Sequence, residues 1–272
     1  MLDKCTTKSW ETSLYEPQQL YYNLMGEKIL TDKNVKSAYY MAKHKQSCDS
    51  PAWDGMTRTI LIDGMEQDQA WSLIRYHILH GPSDCVKRFD IPKSNGKTRP
   101  ISIYPLLDRV AQWCIMGPLS KACGPLLSPI NHAFQKGKSC KTAFEAFPPA
   151  GEAGYVICGD IHSFFDTVSH SLVRACLWSA GIRDSQLLHT INVTLKTPYK
   201  YPKQPKVRPE QGLPQGAPIS PLLANIILAY MDRYFVSLYG DQKLPRMVRY
   251  ADDFVIFCTD RKQAMTVQTQ MT

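Results

Sequence analysis

Met247-Val-Arg-Tyr250-Ala-Asp252-Asp253-Phe254-Val-Ile-Phe257 is the stretch on which the reading of this chain turns. Two apolar, β-capable runs, Met247 to Tyr250 and Phe254 to Phe257, flank a pair of adjacent acids. So short a connection predicts a β-hairpin with Asp252 and Asp253 at its tip. Side by side, two carboxylates repel, and taking them out of water is costly unless a cation compensates. A third acid, Asp160, ends another apolar run, Tyr155-Val-Ile-Cys158, which predicts a short buried strand. With the strands as neighbours, three carboxylates converge on one point. Hard oxygen ligands in that number suit Mg²⁺. Two such ions roughly 3.5–4 Å apart activate an attacking hydroxyl and stabilise the leaving oxygen of an in-line phosphoryl displacement. Any one of these acids is also an ordinary turn former or cap, and Tyr-x-Asp-Asp arises by chance in ~3% of chains of this length.

Outward from this hairpin, the next signals are loops and caps. Gly212-Leu-Pro-Gln-Gly-Ala-Pro-Ile-Ser220 is a Gly/Pro-rich loop, and Ser220 followed by Pro221 predicts an N-cap and first helical residue, with a helix to about Leu238. Ser169 predicts another cap, for a helix through about Ala180 with Gly181 as its stop. Residues 196–209 interleave Lys196, Lys200, Lys203, Lys206 and Arg208 with Tyr199, Tyr201 and prolines. They read as an exposed loop or irregular hairpin, either a plain connection or a surface for a nucleic-acid strand. Further upstream, Asn95-Gly96 between two β-capable runs predicts a hairpin over 88–103, and with Lys87 it carries five basic residues. Helices are expected over 66–80, stopped by Gly81-Pro82, and over Leu107 to Met116. Residues 1–57 are polar, with lysines on an expected helix whose face is either solvated or in contact with a nucleic-acid backbone.

The 272 residues are 44% hydrophobic and 21% charged, ordinary globular usage that excludes disorder over the whole length. The net charge of +8 favours polyanionic partners. Nine cysteines without a C-x-x-C pair argue against a disulfide framework and a zinc ribbon. No apolar signal region opens the chain, and the longest apolar run, Leu222 to Met231, is broken by Asn225. The expectation is a reduced, soluble, cytoplasmic protein without membrane partners.

Four signatures stand in one order: Lys93-Ser-Asn-Gly-Lys-Thr-Arg99-Pro, Asp160-Ile-His-Ser-Phe-Phe165-Asp, Pro214-Gln215-Gly216-Ala-Pro-Ile-Ser-Pro, and Tyr250-Ala-Asp252-Asp253. Together they resemble the reverse transcriptases of bacteria and organelles, especially the group II intron type. Asp54-Gly55, Asp108-Arg109 through Gln112, Phe134 to Ser139, and Val168-Ser-His170 also look like that lineage, and the resemblance covers roughly residues 50–260. It implies an α+β right-hand polymerase fold, with helical and hairpin fingers and a palm of antiparallel sheet with helices. On that fold, 1–57 is an N-terminal helical extension, 58–150 the fingers, and 151–272 an incomplete palm. It implies an RNA-directed DNA polymerase that extends a DNA primer on an RNA template with dNTPs. The other expectation is a non-catalytic nucleic-acid-binding remnant or half of a split enzyme.

Position by position, the resemblance makes Asp160, Asp252 and Asp253 ligands of two Mg²⁺ ions, with Mn²⁺ as a substitute, and adds the backbone carbonyl of Ile161. Lys93 and Arg99 would grip the triphosphate. Phe165 would screen the sugar 2′-position, Gln215 and Gly216 would hold the nascent pair and template, and Tyr250 would lie near the primer end. Asp166 and His170 are expected to be structural, and Asn225 a hydrogen-bonded core residue. Two departures leave the chemistry intact: Ile101-Ser-Ile-Tyr104 follows Arg99-Pro in place of Leu-Gly-Ile-Pro, and Leu213 replaces a frequent Thr. The expected thumb finds no counterpart before Thr272, so a second chain supplying it is an expected partner. An intron, retron-like or phage-defence parent all remain open.

Overall fold

The computed structural model describes residues 15–49, 52–92, 96–240 and 242–271. The N-terminal half is helical: α1 (Asp32–His44), α2 (Arg58–Ile62) and α3 (Gln67–His80) precede a hairpin of β1 (Val86–Pro92) and β2 (Thr98–Ile103). Then come α4 (Leu106–Ala122), α5 (Cys140–Glu145), β3 (Tyr155–Asp160), α6 (Phe164–Thr167), α7 (His170–Ser179), α8 (Ser185–Leu195) and β4 (Tyr199–Lys200). The chain closes with α9 (Ser220–Tyr239), β5 (Arg246–Tyr250), β6 (Asp253–Cys258) and α10 (Arg261–Met271). The fold is α+β, as the sequence implies, with two separate three-stranded sheets in the orders β2-β1-β4 and β3-β6-β5.

One hydrophobic cluster runs from Tyr15 through α1, α3 and α4 to Tyr230 on α9. Helix α4 is its spine, buried along most of its length because apolar residues occupy every face. Helix α1 sets Val35, Ala38, Tyr39 and Ala42 inward at helical spacing. Its lysines are not all simply solvated: Lys36 lies over the Trp71 ring at 4.3 Å, and Lys45, just past the helix, lies over Trp113 at 4.5 Å. A second cluster, with Phe235, Met247, Ile256, Cys258, Ala264 and Val267, lies beneath the β3-β6-β5 sheet.

Several local expectations are met. Helix α3 ends at Gly81 with φ +99°, and Ser169 caps α7 by accepting the Leu172 N–H. The arm hairpin pairs from Lys87↔Ile103 to Pro92↔Thr98. Of its Asn-Gly turn, Asn95 lies outside the described residues, while Gly96 takes φ +78°. The eight described cysteines are all free thiols.

Two expectations need correction. The strand Tyr155–Asp160 is not buried: Tyr155 and Val156 are about half exposed, because β3 is a sheet edge. Ser220 is not an N-cap. It is already helical, its hydroxyl donates to the Pro214 carbonyl, and Ile219 takes the cap position without a side-chain bond. Of the two forms expected for residues 196–209, the irregular hairpin is the one formed. Tyr199 and Val207 bridge, β4 adds parallel to β1, and Lys206 pairs with Asp84.

Candidate active site

The acid-bearing hairpin forms as its alternation dictates, with β5 and β6 paired from Arg246↔Phe257 to Tyr250↔Asp253. The reversal is left to Ala251 and Asp252, and Ala251 adopts φ +58°, a left-handed conformation that costs a residue with a Cβ. On the other side of β6, β3 runs antiparallel and its last pair is Asp160↔Asp253. The Ile161 N–H reaches the Asp252 carbonyl at 3.4 Å. Gly159 makes this junction possible: a Cβ there would stand 2.2 Å from the Phe254 ring. Asp160, Asp252 and Asp253 are thus brought to one end of one sheet.

Their charges are felt. The Asp253 carboxyl is pushed above the usual carboxylate range, first by burial and then by the negative charges of Asp252 and Asp160. Among the described residues, no three His, Cys, Asp or Glu side chains are already drawn together as a metal cage. The donor set is all carboxylate, with the Ile161 carbonyl adjacent but accepting the Phe164 N–H at 3.1 Å, and its hardness fits Mg²⁺ or Mn²⁺.

Behind the turn lies an ion pair that sequence reading misses. Arg249 and Asp232 are both fully buried. Arg249 Nε and Nη2 donate to the two Asp232 carboxylate oxygens at 2.7 and 2.6 Å, and Nη1 donates to the Ala251 carbonyl at 2.8 Å. Burial raises the Asp232 pKa and the guanidinium opposes it. The Arg249 backbone is held too, donating to Ile130 O at 3.0 Å and accepting from His132 N at 2.8 Å. The signal in the sequence was an acid inside the long apolar run of α9.

Gln215 and Gly216 lie where the arm meets the rest of the molecule. Ser102 N donates to the Gln215 carbonyl at 2.8 Å. Gly216, at φ +106°, lies so close that a Cβ would stand 2.1 Å from the Ser102 carbonyl oxygen. It borders a cavity of ≈ 660 Å³ lined by Lys45, Arg109, Trp113 and Phe134 among others. Phe165 packs edge-on to Phe164 and lines a second cavity, of ≈ 320 Å³, with Arg88, Arg208 and Gly212. Tyr250 is partly exposed beside the acids, its hydroxyl pKa raised by the Cys140 thiol. Arg99 is exposed on β2 opposite Ile91, and no hydrogen bond or ion pair joins it to the acids among the described residues. Lys93 lies outside the described residues.

The flanking resemblances acquire physical roles here. Asp108 accepts from Ser83 N at 2.9 Å and so holds the turn after α3, while Gln112 Oε1 accepts from Ile219 N at 3.2 Å and braces the loop before α9. His170 donates from Nε2 to the Gly212 carbonyl at 3.1 Å, and burial lowers its pKa, so it is a neutral strut. Asn225 donates to the Ala133 carbonyl at 2.9 Å from within the core. Asp166 is exposed, and its backbone carbonyl accepts from Gln211.

Comparison with known proteins identifies the family. Protein YkfC of Escherichia coli is 30% identical over 198 residues, covering 70% of this chain and 51% of that protein. The group II intron-encoded protein LtrA of Lactococcus lactis is 31% identical over 159 residues, 56% of this chain and 26% of LtrA. The retron Mx162 reverse transcriptase of Myxococcus xanthus is 26% identical over 211 residues, 73% of this chain and 41% of that protein. The chain therefore spans about a quarter to a half of the length of these curated relatives. Among solved structures, a partial Cas6-RT-Cas1–Cas2 complex superposes with a TM-score of 0.50 at 23% identity, covering 89% of this chain and 40% of that one, a likeness of fold. Residues 91–272, which hold Asp160, Gln215, Gly216, Asp252 and Asp253, match the family described as reverse transcriptase (RNA-dependent DNA polymerase), and the chain belongs to that family.

Proposed function

We propose that this chain carries the polymerase site of an RNA-directed DNA polymerase that extends a DNA primer on an RNA template with dNTPs. The observation that supports it best is the register of the acids, with Asp160 opposite Asp253 across β3 and β6 and Asp252 at the adjoining turn. In this reading Asp160, Asp252 and Asp253, with the Ile161 carbonyl, would hold two Mg²⁺ ions, or Mn²⁺ in their place. Bound there, the ions would activate the primer hydroxyl and stabilise the departing pyrophosphate.

The protein's own contribution is positioning. The Ser102–Gln215 bond and the bare backbone of Gly216 fix the floor on which the nascent pair and template would rest. Lys93 and Arg99 on the arm would meet the triphosphate by charge-assisted hydrogen bonds. Tyr250 would lie against the primer end. Phe165, held against Phe164, would occupy the space that a ribose 2′-hydroxyl needs. A net charge of +8 suits nucleic-acid partners. No helix among the described residues is long and apolar enough to cross a membrane.

The test is single-nucleotide insertion on an RNA template with a DNA primer, comparing dNTP with NTP. Wild type is expected to prefer dNTP, and Phe165→Val to lose on the order of 1–3 kcal/mol of that preference while keeping dNTP insertion. Nucleic-acid binding without insertion of either nucleotide would overturn the polymerase reading in favour of a binding remnant. An unchanged dNTP/NTP ratio in Phe165→Val would make Phe165 a core residue.

A further inference from the structure

A buried ion pair is weak evidence for stability, since a well-packed apolar pair often does as well. The Arg249–Asp232 pair calls for a second reason, and the third hydrogen bond supplies it. One edge of the guanidinium, Nε and Nη2, is spent on Asp232, and the remaining Nη1 is aimed at the Ala251 carbonyl, immediately before Asp252. Ala251 is also the residue held at φ +58°, a conformation that persists only where its surroundings over-determine it. Arg249 is itself immobilised from the other side by backbone bonds to Ile130 and His132. Asp232 is buried on α9, the helix that opens directly after the Gln215–Gly216 loop. A planar, bidentate fork can clamp a carboxylate and reach a third acceptor together; an ammonium is only a point charge.

We propose that Arg249, clamped by Asp232, is a positioning residue that sets Asp252 and Asp253 through the Ala251 carbonyl and ties them to the helix carrying the nucleotide-facing loop. This inference rests on the proposed polymerase site. It assigns the pair a role in orientation: the reacting groups are untouched by it, and its loss misplaces them without removing them.

The deciding variant is Arg249→Met with Asp232→Leu, which removes the pair without leaving a buried charge. Its melting temperature is expected to stay within about 5 °C of wild type. Its kcat for primer extension is expected to fall by ~10–100-fold, the scale of a misplacement of about 1 Å, with KM for dNTP changed less than kcat. Arg249→Lys, which keeps the charge facing Asp232 and loses the fork, is expected to fall between the two. A readout without turnover accompanies these: the rise in melting temperature on adding Mn²⁺ should shrink in both variants. A folded double variant with wild-type kcat and a wild-type Mn²⁺ shift overturns the proposal. Should the double variant not fold, Arg249→Lys decides it: wild-type kcat overturns it, and reduced kcat at unchanged KM supports it. If wild type extends no primer, the polymerase reading fails, and the Mn²⁺ shift then decides this inference alone: equal shifts in wild type and variants overturn it, and a smaller shift in the variants supports it.

Discussion

The two three-stranded sheets are built to opposite specifications. In β3-β6-β5, six residues of β5 and β6 (Met247, Val248, Arg249, Ile256, Phe257 and Cys258) are buried; Met247, Ile256 and Cys258 pack with α9 and α10, and Val248 and Phe257 pack with Ala143 of α5 and Leu244. In β2-β1-β4, β1 is buried only at Val86 and β2 only at Ser102, while Ile91 near the arm's tip is 44% exposed. One sheet is anchored along both strands of the hairpin that carries Asp252 and Asp253, with Arg249 buried next to the turn; the other is anchored at its base, at Val86 and Ser102. Few buried contacts mean low local stability. On the proposed function, the difference is the one expected between a platform that holds like charges in register and an arm that meets the triphosphate.

The sharpest way to break this comparison is to orphan the platform's anchor. Arg249→Met alone leaves Asp232 buried and unpaired, and we expect a loss of about 3–5 kcal/mol of stability by denaturant titration. Removing an arm cation such as Arg99, which is exposed, should leave stability within about 0.5 kcal/mol. Equal losses for the two would erase the distinction.

The join between arm and platform comes next. Gly216→Ala places a Cβ against the Ser102 carbonyl in a backbone conformation that L residues rarely adopt. A cost on the order of 1–3 kcal/mol is expected. A melting curve that matches wild type would mean that the two parts are not locked there.

The smallest effect concerns the acids themselves. Burial and the charges of Asp252 and Asp160 raise the Asp253 pKa in the folded state, so its ionisation works against folding. That penalty is fully present above the raised value and vanishes below about pH 3.9, where the carboxyl is protonated in both states. Asp253→Asn should therefore melt slightly higher than wild type at pH 7, with the advantage fading as the pH falls through the raised value and gone below about pH 3.9. An advantage that persists at pH 3, or none at pH 7, would contradict the placement of the three acids.

Much of this was legible because it is local. Alternation around Asp252-Asp253, the Asn-Gly turn and the Ser169 cap are written in neighbouring residues, and the spacing of four motifs made the family recognisable. What was not legible depends on partners far apart in the chain. Ser220 has the residue type of a cap, but its hydroxyl is taken by the Pro214 carbonyl six residues back. Tyr155-Val-Ile reads as interior by hydrophobicity alone, and only the strand order reveals it as an edge. Arg249 looks like a strand charge, and its partner lies on the preceding long helix. Gln112 stands in a helix whose buried face gives no hint that it braces a loop more than a hundred residues on.

The central claim is that Asp160, Asp252 and Asp253 form one site for RNA-templated DNA synthesis. Its most direct measurement is primer extension on an RNA template by wild type, Asp160→Asn and the double variant Asp252→Asn, Asp253→Asn, each checked for folding by thermal melting. We expect extension by wild type, loss of at least ~10³-fold in both variants, and melting temperatures no lower than wild type, since clustered like charges are removed. Folded variants that extend primers at the wild-type rate would contradict the account.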